Sequence, residues 1–275
     1  MTERVALHVE SVGTGPPLVL LHGFAMHGGL FAPIVPALAR RHRVHVVDLP
    51  GPGRSPPITP FDLTTLTDAM ERATANIGGP LTVLGWSLGG QIALRWALAS
   101  PERVARLVLV SSTPSFVSRD DWPDAMAPET LERFGDELRV VFRPTLQRFL
   151  ALQVHGSDEG RKTLALLRSH LFERGEPSQA TLAEGVALLM RTDLRPLLPL
   201  VRAPALVIGG DRDALVPLPA TRALAGALCA ATHVAIAGAA HAPFLSHRAA
   251  FLDALAPFVA HEARTPDVLV PLSDG

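Results

Sequence analysis

Seven short, predominantly apolar runs separated by longer alanine- and leucine-rich stretches constrain the fold of this chain more than any other feature. The runs fall at residues 5–9, 18–21, 44–47, 81–84, 107–110, 205–208 and 233–237. A strand with one face in water alternates apolar and polar residues, whereas a strand covered on both faces stays apolar throughout. The runs therefore predict an α/β fold, a mostly parallel central sheet flanked by helices. Residues 1–111 and 200–264 are expected to form this core. Residues 112–199 contain no strand-like run and read as helices divided by Pro123, Pro128, Gly156, Gly160, Gly175 and Pro177. They are expected to form a helical cap inserted over the functional edge of the sheet. Residues 265–275 follow the last amphipathic stretch and read as a flexible tail.

Composition removes several chemistries. With 25 Lys plus Arg against 26 Asp plus Glu, the chain is not a generally basic nucleic-acid binder. A single cysteine, Cys229, excludes structural disulfides, cysteine-rich zinc sites and iron–sulfur clusters. The absence of tyrosine excludes phenolic acid or base catalysis, and Lys162 is the sole lysine available for Schiff-base chemistry. The N-terminus lacks a secretory apolar core, and no apolar stretch is long enough to span a bilayer. The expectation is a cytoplasmic monomer with no membrane or nucleic-acid partner.

The strongest chemical signal is Gly85-Trp86-Ser87-Leu88-Gly89, placed between the run at 81–84 and a helical stretch at 91–99. A serine in this strand–turn–helix context sits on a sharp turn, which demands a strained backbone and glycine flanks. Ser87 then needs a base, because a free serine hydroxyl is a poor nucleophile near neutral pH. Among eleven histidines, His241 lies just past the run at 233–237, at a strand's C-terminal end, where open α/β sheets gather ligands. His22 is its rival, although Gly23 beside it suggests a backbone-shaping role. The orienting carboxylate is expected after the run at 205–208, where both Asp211 and Asp213 qualify; Asp213 is preferred for its spacing to Val216-Pro217. Backbone N–H groups of Leu88 and Phe24 are the candidate oxyanion donors. His42, His45 and Asp48 invite a metal-site reading, but strand alternation places the two histidines on opposite faces. No cofactor or metal is expected.

These residues, in the chain order Ser87, Asp213, His241, resemble the α/β-hydrolase superfamily over nearly the whole chain. Shared stretches are Leu20-Leu21-His22-Gly23, the run from Val47 to Ser55, and Leu84 to Gly90. An aspartate in place of Ser87 would have suggested a dehalogenase or epoxide hydrolase. More narrowly, the chain resembles the pimeloyl-[acyl-carrier protein] methyl ester esterases of biotin synthesis. That likeness is carried by Ser118-Arg119-Asp120-Asp121-Trp122-Pro123, Arg148-Phe149-Leu150-Ala151-Leu152-Gln153 and Ala239 to His247.

The resemblance implies a serine carboxylesterase acting on a methyl ester of carrier-bound pimelate, with small esters as further substrates. It implies that Phe149, Leu150, Ala151, Leu152 and Gln153 line the substrate channel beside Ser87, Phe24 and His241. It also implies that Arg139, Arg143, Arg148, Arg161 and Lys162, in the basic half of the cap, meet the acyl-carrier protein. Phe24 stands where the family commonly has tryptophan, and only its backbone donor is expected to matter. Pro144 stands where the family can carry a basic residue, and the C-terminal extension has no counterpart. Competing readings are a general short-chain esterase, a carbon–carbon bond hydrolase using the same triad, and a non-catalytic binding protein of the same fold.

Overall fold

The computed structural model describes residues 6–51 and 53–260. Its sheet contains β1 (Val9–Val12), β2 (Pro17–Leu21), β3 (Arg43–Val47), β4 (Leu81–Trp86), β5 (Val104–Val110), β6 (Ala205–Gly210) and β7 (Ala231–Ile236). Their order is β1-β3-β2-β4-β5-β6-β7. β1 pairs antiparallel with β3, and all the other pairings are parallel. Leu18 to Leu21 of β2 and Leu107 to Val110 of β5 are fully buried, as their unbroken apolarity requires.

The first strand differs from expectation. It occupies Val9–Val12 rather than residues 5–9, and position 5 lies outside the described residues. β1 is an edge strand, so its position follows its one neighbour: the register runs from Val9 opposite Val47 to Val12 opposite Val44. Local apolarity does not select an edge strand that water reaches on one side.

Helices cover the sheet. In chain order these are α1 (Val35–Leu38), α2 (Leu63–Ala73), α3 (Leu88–Ala99), α4 (Pro128–Gln153), α5 (Gly160–His170), α6 (Gln179–Arg191), α7 (Leu218–Ala227), α8 (Pro243–Ser246) and α9 (Arg248–Ala260). The segment between β5 and β6 contains α4, α5, α6 and a 3-10 turn at Arg195–Leu200. α4 is broken where no break was expected, at Val141, whose φ of −136° and ψ of 57° are not helical. Pro144 explains the break: it offers no N–H, and its ring crowds the carbonyl four residues earlier. The expected tail at 265–275 lies outside the described residues.

One largely buried ion pair ties the segment between β5 and β6 to the loop after β3. Asp48, just past β3, accepts the N–H of Gly28 at 2.7 Å and of Arg54 at 2.9 Å, and Arg174, between α5 and α6, reaches it at 3.3 Å. Arg174 also meets Glu10 at 3.0 Å. Burial opposes charge on Asp48, but the Arg54 N–H, His22, the Gly28 N–H and Arg174 together outweigh it and hold its carboxyl below the usual range. Asp48 is thus an anchor of loops.

Candidate active site

Because β2, β4, β6 and β7 run parallel, the loops that follow them open at one rim of the sheet. Ser87 follows β4 with φ 55° and ψ −119°, a strained backbone for any residue but glycine. The flanking glycines are steric necessities. A Cβ at Gly85 would fall 2.3 Å from the Gly89 carbonyl oxygen, and one at Gly89 would fall 2.4 Å from that of Leu21. Three bonds hold the turn: Ser87 N–H donates to Val110 O at 2.9 Å, and Ser87 O accepts from Gly90 N–H at 2.9 Å and Ser112 Oγ at 2.7 Å. Leu88 begins α3, so its N–H has no acceptor within the helix and is free for an anion.

The loop after β2 brings Phe24 beside this turn. A Cβ at Gly23 would stand 3.1 Å from Ser87 Cβ, so any other residue would crowd the two loops where they approach. His22 shapes that approach. Its Nδ1–H donates to Gly23 O at 2.9 Å while Nε2 accepts the Leu49 N–H at 2.8 Å, leaving neither nitrogen available as a base. Full burial pushes the imidazole down to about 4. The unfolded chain therefore binds a proton between about pH 6.5 and 4 that the folded chain refuses, and stability rises with pH through that window. The contribution is complete above pH 6.5, and about 3 kcal/mol of it is lost by pH 4. Urea unfolding between pH 7 and 4 should show this slope, flattened in His22→Asn; an equal slope in both proteins would refute the assignment.

His241 follows β7, and its Nδ1–H donates to Asp213 Oδ2 at 2.9 Å with both side chains buried. The other oxygen, Asp213 Oδ1, accepts the N–H groups of Leu215 at 2.9 Å and Val216 at 3.0 Å, which fixes the carboxylate's orientation. Asp211 is engaged elsewhere, accepting the Gly238 N–H at 2.8 Å. The bond that orients His241 therefore comes from Asp213. Ser87 and His241 open onto one cavity of about 160 Å³. Its wall is mainly apolar, with Phe24, Phe116, Met126, Leu131, Phe134, Phe149, Leu152, Leu189 and Leu215.

The rest of the expected site is distributed differently. Phe149 and Leu152 line the cavity, but Leu150, Ala151 and Gln153 do not. A helix turns about 100° per residue, so a run of five cannot present every side chain to one space. Gln153 contributes through its carbonyl, which accepts the His241 N–H at 3.0 Å. Phe24 also does more than expected. Its ring packs edge-on against Phe134 and Phe149, with centroids 6.0 and 5.8 Å away, and forms part of the wall. Gly185 makes room for it, since a Cβ there would lie 2.7 Å from Phe24 Cε2. Gly185→Ala should push the ring into the cavity, destabilising the protein by about 1–3 kcal/mol and raising KM for acyl substrates. Thermal melts and initial rates check this, and an unchanged KM would refute it.

Most of the basic residues carry a local counter-charge. Arg139 pairs with Asp136 at 2.8 Å, Arg143 with Glu176 at 2.7 Å, Lys162 with Glu159 at 2.9 Å, and Arg148 with Glu137 on the cavity wall. Arg161 is exposed and has no ion-pair partner among the described residues. His45 bonds Ser11 at 2.8 Å and His42 faces the Val259 carbonyl at 3.3 Å, so neither is arranged with Asp48 as a ligand set. His27, His170 and Glu173 do gather, but His27 already spends its nitrogens on the Gly29 N–H at 3.1 Å and the His170 carbonyl at 2.7 Å.

Residues 16–248 match the family model described as alpha/beta hydrolase fold. The chain belongs to the α/β-hydrolase family. It is 46% identical over 250 residues to a pimeloyl-[acyl-carrier protein] methyl ester esterase of Xanthomonas oryzae pv. oryzae (strain MAFF 311018), covering 90% of this chain and 97% of that one. The protein of the same name from Chromobacterium violaceum is 43% identical over 249 residues, covering 90% and 96%. Among solved structures, the esterase EaEST of Exiguobacterium antarcticum superposes with a TM-score of 0.83 at 24% identity, covering 93% of this chain and 96% of that one. The last likeness speaks to the hydrolase fold alone.

Proposed function

We propose that this chain is a serine carboxylesterase that hydrolyses the methyl ester of a pimeloyl chain carried on acyl-carrier protein, in biotin synthesis. The observation that carries the reading is the Asp213–His241 bond, with His241 and Ser87 both lining one mainly apolar cavity. In this mechanism Ser87 Oγ attacks the ester carbonyl while His241 Nε2 takes its proton. Asp213 keeps Nδ1 protonated, so Nε2 has its lone pair free, and stabilises the imidazolium that follows. The N–H groups of Leu88 and Phe24 receive the oxyanion, each contributing about 3 kcal/mol to the transition state. Methanol leaves with the proton from His241, and water repeats the cycle to release the acid.

Residues 112–199 act as the cap, with α4 and α6 closing the acyl cavity over the core. The names of the curated relatives support this substrate, as does a wall suited to methylene groups. Among the described residues, no helix is long and apolar enough to cross a membrane. The proposed setting is the cytoplasm, with the protein working as a monomer.

A second reading, a general short-chain esterase, draws on the ion pairs that offset four of the five proposed carrier contacts. Comparing kcat/KM for methyl pimeloyl-carrier protein with that for p-nitrophenyl esters separates the two. The first reading expects preference for the carrier-bound ester, weakening with salt as surface charges are screened. Equal or greater activity on small esters, indifferent to salt, would favour the second.

A further inference from the structure

We infer that Trp86 is a positioning residue that locks the histidine loop, the oxyanion loop and the serine turn into one rigid unit; this rests on the catalytic reading of Ser87 and His241. Trp86 is the last residue of β4 and is only 1% exposed. Its indole N–H donates to the backbone carbonyl of His241 at 2.7 Å, across 155 residues of chain. Its ring also faces the imidazole itself, with centroids 5.7 Å apart. On the oxyanion side, a Cβ at Gly23 would come within 3.2 Å of Trp86 Cε3, so the indole lies directly against the loop that carries Phe24. Phe244, one turn beyond His241, packs edge-on to the same ring at 5.2 Å.

The consequence is geometric. His241 is held at three places: Nδ1 by Asp213, its N–H by the Gln153 carbonyl at 3.0 Å, and its carbonyl by Trp86. The first sets the imidazole's tautomer and tilt. Of the other two, only Trp86 ties the histidine backbone to the residue adjoining the nucleophile. Turnover depends on how often Ser87 Oγ and His241 Nε2 are in reach, and small misplacements are costly. Trp86 touches no reacting atom; it acts through His241. An apolar ring alone would fill the space, whereas the N–H donor is what couples the loops.

The test must remove the donor and keep the shape. Replacing Trp86 with its benzothiophene analogue, in which sulfur stands for the indole N–H, does this; Trp86→Phe is the genetically simple companion. With the analogue, kcat should fall about fivefold to tenfold, the size expected for losing one buried neutral hydrogen bond. KM should stay constant, because the acyl wall is untouched. Labelling of Ser87 by a neutral phosphonate should slow in parallel, and the acid limb of the pH–rate profile should not shift, since Asp213 still orients the imidazole. A merely structural role would instead lower the melting temperature and leave kcat per folded molecule intact. Full kcat in the folded analogue protein overturns the inference. Failure of the underlying reading looks different: wild-type protein would resist the phosphonate, or Ser87→Ala would still turn over.

Discussion

Ser87→Ala is expected to lower kcat by about a millionfold while the protein folds as before. Alanine removes the nucleophile and nothing else the turn depends on: the three bonds that hold it use Ser87's backbone N–H and carbonyl. His241→Ala should cost a similar factor, and the double variant little more, because proton acceptor and nucleophile act as one unit. A residual acceleration of roughly a thousandfold over water should survive in all three, supplied by the Leu88 and Phe24 N–H groups and by the apolar cavity. Single-turnover assays with a methyl ester measure this directly. Additive losses, or a Ser87→Ala protein retaining a hundredth of wild-type turnover, would mean that Ser87 and His241 do not work together.

The parts of this site legible in the sequence are those where local chemistry and global placement coincide. The Ser87 turn announces itself because backbone strain forces glycine at 85 and 89, a requirement visible in five consecutive letters. His241 and Asp213 were legible because parallel strands send all their C-terminal loops to one rim. The five interior strands, β2 to β6, formed at or near their expected runs because burial on both faces leaves a largely apolar signature; β7, the other edge strand, is only partly buried and still formed at its run. β1 was misplaced because an edge strand has no such requirement.

What escaped the sequence depends on contacts between distant segments. The resemblance puts Phe24 beside the channel, but the seating of its ring in the wall depends on Gly185, 161 positions later, which no local pattern encodes. Asp48, whose nearness to His42 and His45 in sequence invites a metal-site reading, is instead the anchor for Arg174, a partner 126 residues away. The basic residues of α4 and α5 looked like a cationic face by composition, yet Asp136, Glu176, Glu137 and Glu159 offset four of them. Asp136 and Glu159 sit three residues from their partners, on the same helix face, and were legible in principle. Glu176 and Glu137 reach Arg143 and Arg148 only because α4 bends at Val141 and the loop before α6 returns to it.

Asp213→Asn and Asp211→Asn should differ by about four orders of magnitude in kcat, although the two residues are neighbours in one loop. Asparagine at 213 can keep its carbonyl oxygen on the Leu215 and Val216 N–H groups, so the turn survives. The oxygen that accepts from His241 Nδ1 becomes an amide that donates. The imidazole must then carry its proton on Nε2, the nitrogen that takes the Ser87 proton in the proposed mechanism, and it no longer serves as base. At 211 the same substitution preserves an acceptor for the Gly238 N–H and changes nothing that touches His241, so kcat should stay within about threefold. Equal melting temperatures for the two variants would show that the contrast lies in the tautomer rather than the fold. Comparable losses in both, or a larger loss at 211, would remove Asp213 from the mechanism.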